Sequence, residues 1–307
     1  MSMFHADRRT VLKAALGGAA ALTAPAFAGR ALAQSASATA LGDGLSLFNI
    51  GGANVLMLSA SDGAVLVDTG PAAAADALMA ALDGQPVATV FNTQYHADQT
   101  GNNAALRRAG ANIVAHKRTH QWMEHPFWVP VEMRYEAARE EEALPTETFL
   151  TTGDKTAGGQ RIEYGYLLEA HTSGDIYVWF RDANVLAVGD VASPERDIAI
   201  DWYTGAWTGA RLDAMKHLID MIDDQTQIVP AFGPVMTRAD FQAEHDMLLA
   251  LHDAMVVKMR SGYSYDDMAA EGLMDISGRT WSDPDKFLYD ACKGLWGHQN
   301  ALSPDIV

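Results

Sequence analysis

The most constraining feature of this sequence is a polar segment, Asn92–Asn103, that lies between an apolar run and a helical pattern. The short apolar run Val87–Phe91 is typical of a buried strand, and Asn103–Arg108 has a helical pattern. The segment Asn92–Asn103 is therefore predicted to be a strand-to-helix loop. Because such loops hold polar side chains at fixed positions on a rigid scaffold, this one is the first candidate for a functional site.

Short apolar runs bounded by turn residues recur on both sides of this loop and predict further strands. The predicted strands cover residues 45–50, 53–58, 63–67, 87–91, 111–115, 160–168, 175–180, 184–188 and 227–230. The predicted helices cover residues 72–82, 103–108, 116–122, 131–142, 209–222 and 241–259, the last opened by a capping sequence at 237–240. Strands that alternate with helices indicate an α/β fold.

The N-terminus is predicted to be a targeting segment rather than part of the fold. Arg8 and Arg9 precede a weakly apolar run that ends at Ala31-Leu32-Ala33, which resembles a twin-arginine signal with its cleavage site. Residues 1–33 are thus expected to be a signal peptide, and the mature protein to be periplasmic or secreted. A flexible lead-in is predicted at 34–44, the main domain at 45–235 and a helical C-terminal extension at 236–307.

The net charge argues against two classes of partner, and the cysteine content excludes a disulfide and one type of zinc site. The formal net charge is −17, from 39 acidic and 22 basic residues, so neither nucleic acid nor an anionic membrane surface is an expected partner. Beyond the signal region, no apolar run is long enough to predict a membrane span. The single cysteine, Cys292, excludes an intrachain disulfide and a cysteine-based zinc site. Nothing in the sequence predicts the oligomeric state.

Five short turns, each after a predicted strand, occur in an order that resembles the metallo-β-lactamase superfamily. The turns are Val67-Asp68-Thr69-Gly70, the loop at 92–103, the segment 169–175, Val188-Gly189-Asp190 and Ala231-Phe232-Gly233-Pro234. The resemblance covers roughly residues 45–235. It implies a four-layer αββα sandwich, and intact members hold two zinc ions that share a hydroxide.

Several ligands of that family are replaced in this chain. The family's opening motif is His-x-His-x-Asp-His, and Gln94 and Gln99 stand at its first and last histidines. Phe232 stands where the family has its final histidine ligand. An amide oxygen is a weak ligand for zinc and a phenyl ring is none, so a dinuclear zinc site is not expected. By resemblance, Asp68 supports the metal shell without binding the metal.

Four residues of the family's ligand set remain, namely His96, Asp98, His171 and Asp190. If they converge as in the family, one divalent ion could be held by His96, His171 and Asp190, with Asp98 beside it. Two imidazoles and a carboxylate suit zinc, iron or manganese. Equally, the four could be inherited polar residues that are hydrogen-bonded and bind no metal.

The aromatic residues Trp122, Trp128, Trp202 and Tyr203 are candidates for the wall of a pocket. They favour a small, apolar or aromatic substrate or ligand, although buried packing explains them equally well.

Three functions fit these residues. The first is an exported hydrolase of an ester, lactone, amide or similar bond, in which Asp98 or Asp190 accepts the proton. The second is a non-catalytic binding or accessory protein on the same fold, which the missing ligands favour. The third is redox chemistry at a non-haem iron. The sequence favours the hydrolase, because Asp98, His171 and Asp190 are retained together.

Overall fold

The protein, seen here in a computed structural model that describes residues 38–298, contains two large β-sheets and a two-stranded hairpin. The predicted signal peptide at 1–33 lies outside the described residues, as do 34–37 and 299–307. The first sheet has the strand order β1-β2-β3-β4-β5-β6-β9. Its strands are β1 (Ala38–Gly42), β2 (Leu45–Ile50), β3 (Ala53–Leu58), β4 (Ala64–Val67), β5 (Val87–Phe91), β6 (Asn112–His116) and β9 (Glu147–Phe149).

The second sheet runs in sequence order from β10 to β14. Its strands are β10 (Thr152–Ala157), β11 (Gln160–Tyr166), β12 (Ile176–Phe180), β13 (Val185–Gly189) and β14 (Gln227–Pro230). Both sheets begin as antiparallel meanders and end in parallel pairs, β4 to β9 in the first and β13 with β14 in the second. The separate hairpin pairs β7 (Phe127–Val129) with β8 (Arg134–Glu136).

Helices connect and flank these sheets. They are α1 (Ala75–Leu82), α2 (Ala97–Thr100), α3 (Asn103–Arg108), α4 (Lys117–Glu124), α5 (Thr208–Met221), α6 (Arg238–Arg260), α7 (Tyr265–Ala270) and α8 (Pro284–Gly297). Short 3-10 helices cover Ala72–Ala74, Glu141–Ala143, Trp202–Thr204 and Leu273–Ser277. The predicted cap is present, since Thr237 and Asp240 form a reciprocal capping box at the start of α6.

The strands are apolar on both faces because each sheet is covered on both faces. Val178 and Ala187 of the second sheet pack against residues of the first sheet, which forms the centre of the sandwich. Their neighbours Trp179 and Leu186 point the other way and pack on α5, α6 and α8. The outer face of the first sheet is likewise covered by α1 and α3. The four-layer αββα sandwich predicted from the sequence is confirmed.

The C-terminal helices share a core with the sandwich. Leu248 and Leu251 of α6 and Leu288 of α8 are buried in the cluster that contains the outer face of the second sheet. Among the described residues, no helix is both long and apolar enough to cross a lipid bilayer.

Two segments differ from the sequence prediction. Residues 131–142, predicted as a helix, contain β8 and a 3-10 turn, because the chain reverses at Met133 (φ 51°) and pairs back onto β7. Residues 38–42, placed in the flexible lead-in, form β1 at the edge of the first sheet, where they pair with β2 and bury Leu41.

We expect Asn54→Ala to lower the free energy of unfolding by about 2–3 kcal/mol. The buried Asn54 amide donates to the carbonyls of Pro230 (2.9 Å) and Gly233 (2.9 Å), and so ties β3 to the loop after β14. Alanine would leave both oxygens without this donor. Urea denaturation measures the change, and Asn49→Ala, at an exposed turn of the same sheet, should cost less than about 1 kcal/mol. Equal losses in the two variants would contradict this role of Asn54.

Candidate metal site and active-site cleft

The candidate site lies where loops from both sheets meet. His96 follows β5 and is the N-cap of α2, while His171 lies in the turn between β11 and β12. The two sheets are joined directly here, because the N–H of Ile176 donates to the carbonyl of Thr93 (2.9 Å). Side chains that are far apart in sequence are thereby brought to one edge of the sandwich.

Three side chains converge at this edge: His96, His171 and Asp201. One ligand atom from each lies within 4.8 Å of the others, a spacing that a single metal ion could bridge. The Nε2 atom of His96 is 2.8 Å from an Asp201 carboxylate oxygen, and the two imidazole rings meet edge-on with centroids 4.9 Å apart. Two imidazoles and one carboxylate form a donor set that suits several divalent metals.

The turn that carries His171 is organised by Asp175. Its carboxylate accepts hydrogen bonds from the N–H groups of His171 (2.5 Å) and Thr172 (2.7 Å) and from the Thr172 hydroxyl (2.8 Å). Within the part of the chain that the structure describes, the buried Nδ1 atom of His171 makes no hydrogen bond, but it lies 3.5 Å from an Asp175 carboxylate oxygen. A carboxylate beside one ring nitrogen is typical of metal-binding histidines, so this histidine fits a role as a ligand.

Asp201 reaches the site from the long loop after β13. Its N–H donates to the carbonyl of His171 (2.9 Å), which places its carboxylate beside both imidazoles. The Tyr95 hydroxyl also donates to this carboxylate and lies 3.1 Å from the Tyr203 hydroxyl. Asp201 is thus held by backbone and side-chain contacts at once.

Electrostatics couple His96 to Asp201. Burial by itself would lower the pKa of His96, but the adjacent Asp201 charge and hydrogen bond raise it to about 9. Burial would raise the pKa of Asp201, yet the charge of His96 holds it well below its usual range. Without a metal the two form an ion pair. Because metals bind neutral imidazole, metal binding at His96 would release this proton.

The tyrosines beside Asp201 remain protonated at neutral pH. Burial and the Asp201 charge raise the pKa of Tyr95 well above its ordinary value, and the same two causes raise the pKa of Tyr203. Both hydroxyls are therefore hydrogen-bond donors next to the cluster.

The sequence placed Asp190 with the two histidines, but the structure places Asp201 there. The Asp190 carboxylate instead accepts a hydrogen bond from the Gln94 amide (3.0 Å). The amide oxygen of Gln94 accepts from the N–H of His96, so both ends of this amide are hydrogen-bonded, one within the loop and one to Asp190. Asp190 is kept out of the cluster because its carboxylate is bonded to Gln94. Asp201 is in the cluster because its N–H is bonded to the carbonyl of His171.

Asp98 lies on the other side of His96 and lines the cleft. One of its oxygens is 3.7 Å from the Arg196 guanidinium, and the other is buried with no hydrogen-bond partner among the described residues. Burial and the nearby Asp190 charge raise the pKa of Asp98, which makes it a stronger base than an ordinary carboxylate. Like Asp190, it is not one of the three clustered ligands.

The remaining predicted positions have supporting or packing roles. Asp68 accepts hydrogen bonds from the N–H (2.8 Å) and hydroxyl (2.6 Å) of Thr93, and burial raises its pKa to about 8 despite these bonds. Gln99 is fully buried, and neither polar atom of its amide has a hydrogen-bond partner within residues 38–298. Phe232 packs under the Arg196 guanidinium, whose central carbon is 3.2 Å from the ring centroid.

A cleft of about 320 Å³ opens above His96 and Asp98. Its apolar wall comes from Tyr95, Tyr203 and the hairpin residues Phe127 and Val129. The rim is charged and is formed by Glu132, Arg134, Glu136 and Arg139.

The four aromatic residues predicted for the pocket have different surroundings. Tyr203 lines the cleft. Trp122 lies behind the wall, where it packs on Tyr95 and donates to the Ser173 hydroxyl (2.7 Å). Trp128 packs on Tyr135 and is 40% exposed, while the Trp202 indole donates to Asp290 (3.1 Å).

Sequence reasoning missed three residues of the site: Asp201, Tyr95 and Arg196. The signal for Asp201 was its position beside Trp202 and Tyr203, which were themselves considered for the pocket. An acidic residue in a loop expected to face the site is a candidate ligand on that ground alone.

The fold and the site together define an αββα sandwich with a candidate metal centre of three residues. The model of the Metallo-beta-lactamase superfamily matches residues 49–228, and the chain belongs to this superfamily. Over 104 residues it is 27% identical to metallo-beta-lactamase IND-1 from Chryseobacterium indologenes, a match that covers 34% of this chain and 38% of that protein.

Two solved structures show the same fold. A metallo-beta-lactamase from Pontibacter korlensis superposes with a TM-score of 0.56 at 20% identity, over 70% of this chain and 99% of that one. The stereoselective inverting sec-alkylsulfatase Pisa1 from Pseudomonas sp. superposes with a TM-score of 0.63 at 15% identity, over 88% of this chain and 51% of that one. At these identities the likeness concerns the fold alone.

We expect Asp175→Ala to lower the free energy of unfolding by about 2–4 kcal/mol, because three donors of the His171 turn lose a charged acceptor. Asp175→Asn keeps one acceptor oxygen and should cost less. Chemical denaturation measures both variants, and the exposed Asp154→Ala serves as a matched control. If Asp175→Ala were as mild as the control, the turn would not depend on this carboxylate.

Proposed function

We propose that this chain is a metal-dependent hydrolase with one divalent ion, held by His96, His171 and Asp201. Its substrate would be a small molecule with an ester, lactone, amide or similar bond. The observation that carries the proposal is the convergence of three ligand atoms within 4.8 Å of one another beside an open cleft. The superfamily membership supports hydrolysis as the class of reaction.

The residues present fit a single ion better than a pair. His96, His171 and Asp201 supply three donors whose ligand atoms lie within 4.8 Å of one another. Gln94, Gln99 and Phe232 offer no comparable second set. When bound, such an ion supplies positive charge that polarises the oxygen of the scissile bond.

The chain's own groups would position the substrate and move the proton. The hairpin residues Phe127 and Val129, with Tyr203, would hold the apolar part of the substrate and exclude water from the cleft. Asp98 lines the cleft with a raised pKa and so is the better candidate for the proton acceptor. Asp190, bonded to Gln94, is a weaker candidate.

The substrate is proposed only at the level of the bond that is cleaved. The similar proteins include metallo-beta-lactamases and a sec-alkylsulfatase, which differ in the bond they attack. The match to IND-1 spans 38% of that protein and the match to Pisa1 spans 51% of it. We therefore propose a small molecule with an apolar part as the substrate, on the basis of the cleft lining, and not specifically a β-lactam or an alkyl sulfate.

A second candidate is redox chemistry at a non-haem iron, and the donor set itself favours it. Two imidazoles and one carboxylate form the ligand set that iron(II) enzymes use, and His96, His171 and Asp201 supply that set. Iron as the bound metal, together with oxygen consumption and no hydrolysis, would support this candidate over the hydrolase.

We expect protein purified without chelator or histidine tag to contain about one transition metal ion per chain. Asp201→Asn and His171→Ala should each lose most of the bound metal and reduce lactone or ester hydrolysis at least about a hundredfold. Asparagine leaves only an amide oxygen, which is a weak ligand, and alanine leaves none. Elemental analysis and initial rates measure the effects.

The exposed Asp220→Asn and His217→Ala make the same chemical changes away from the site and should retain metal and activity. Metal-free wild-type protein would refute the proposal. So would metal content that is unchanged in Asp201→Asn.

Export through the twin-arginine route is also proposed. Arg8→Lys combined with Arg9→Lys should leave the precursor in the cytoplasm, since the arginine pair is the recognised feature of such signals. Cell fractionation and N-terminal sequencing measure the outcome. Periplasmic protein that still begins at Met1 would contradict cleavage near Ala33.

A further inference from the structure

A guanidinium group lies at the side of the site where metal ligands are missing. The central carbon of Arg196 is 3.2 Å from the centroid of the Phe232 ring, and its terminal nitrogen is 3.7 Å from an Asp98 oxygen. Phe232 follows β14 of the second sheet and Asp98 lies in α2 after β5 of the first, so Arg196 bridges the two halves of the sandwich. A planar, permanently charged group that stacks on a ring and pairs with a carboxylate suits this position.

The loop that carries Arg196 is held in place at both ends. The N–H of Ser193 donates to the Glu244 carboxylate of α6 (2.9 Å). The buried Arg211 guanidinium of α5 donates to the Ser193 hydroxyl (3.0 Å) and to the Ala199 carbonyl (3.3 Å). The backbone of Arg196 is therefore anchored to the helical layer.

The C-terminal segment clamps the middle of the same loop. The carboxylate of Asp197 accepts hydrogen bonds from the N–H groups of Ser282 (3.0 Å) and Asp283 (2.7 Å). The Arg279 guanidinium donates to the Arg196 carbonyl. Contacts before, at and after Arg196 indicate that this loop has one defined position, with its guanidinium directed at Phe232 and Asp98.

The charges around Arg196 are acidic. Asp98 has one buried oxygen without a hydrogen-bond partner in residues 38–298, and its other oxygen faces Arg196. Asp190 is close enough for its charge to act on Asp98. A partly buried carboxylate is stabilised by a nearby cation, and Arg196 supplies one for Asp98 from within the chain.

We propose that Arg196 is a built-in cation that takes the place of a second metal ion and, together with the replaced ligands, limits the site to one. The inference rests on the proposed single-ion site only for the identity of the first ion. Arg196 acts as a positioning residue: it neutralises Asp98, covers Phe232 and fills the space that a second ion would need.

The test compares Arg196→Gln with wild type by equilibrium dialysis against Zn²⁺ or Mn²⁺ and elemental analysis. Glutamine keeps much of the side-chain length but removes the charge. We expect Arg196→Gln to bind one more ion than wild type. The free metal concentration needed for this additional ion should be roughly tenfold to a hundredfold lower in Arg196→Gln than in wild type. Arg196→Lys keeps the charge and should behave like wild type.

Arg181→Gln is the matched control, since Arg181 also stacks on a ring (3.7 Å from Trp179) and pairs with a carboxylate, Glu163 (3.5 Å), away from the site. It makes the same change in net charge and should not add an ion. Adding Asp98→Asn to Arg196→Gln should abolish the extra ion, because Asp98 would be its ligand. Circular dichroism checks that each variant is folded.

The outcomes separate this inference from the proposed function. If wild type binds one ion and Arg196→Gln binds no more, the role of Arg196 is refuted while the single-ion site stands. If wild type binds none but Arg196→Gln gains an ion that Asp98→Asn removes, the inference stands and the proposed function fails. Two ions in wild type, or an equal gain in Arg181→Gln, would refute the inference.

Discussion

The site depends on one interaction, the contact between His96 and Asp201. It joins the loop after β5 in the first sheet to the loop after β13 in the second, with Nε2 and the carboxylate 2.8 Å apart. The N–H of Asp201 bonds to the carbonyl of His171, so the same residue also fixes the third member of the cluster. Opposite charges at this distance in a half-buried site attract strongly, and the raised pKa of His96 expresses that attraction. Either the ion pair or a bound cation satisfies these groups.

The fold was predictable because most of its strands can be recognised from short apolar stretches of the sequence. Val185–Gly189 and Ile176–Phe180 are apolar at every position since both faces are covered, and such runs are visible without any partner. Thr152–Ala157 alternates exposed and half-buried positions at the edge of the second sheet and has no apolar run, so it was not predicted. The segment 131–142 was predicted as a helix from its charged, helix-favouring residues. There the reversal at Met133 and pairing with Phe127–Val129 determine the structure instead.

The candidate site was predictable only in part, for the same reason. His96 and His171 lie in turns next to strands, where family motifs are short and contiguous. Asp201 follows β13 through a loop whose course depends on distant residues, including Arg211 on α5, Glu244 on α6 and the segment near Ser282. No local pattern around Asp201 encodes those contacts. The helical C-terminal extension thus helps to fix the loop that leads to Asp201.

The three residues that replace family ligands, Gln94, Gln99 and Phe232, have different surroundings. The Gln94 amide bonds to Asp190, and Phe232 forms the surface on which Arg196 rests, so two of the three replacements are satisfied by groups of the chain itself. Gln99 differs, because it is fully buried and its amide has no hydrogen-bond partner among the described residues. Unpaired buried polar groups cost about 1–3 kcal/mol each, so simple loss of ligands would leave Asp98 and Asp190 as such a cost. Asp190 is instead bonded to the Gln94 amide, and one oxygen of Asp98 faces the Arg196 guanidinium. This half of the site is thus occupied by groups of the chain itself, while the other half keeps donors that suit a metal.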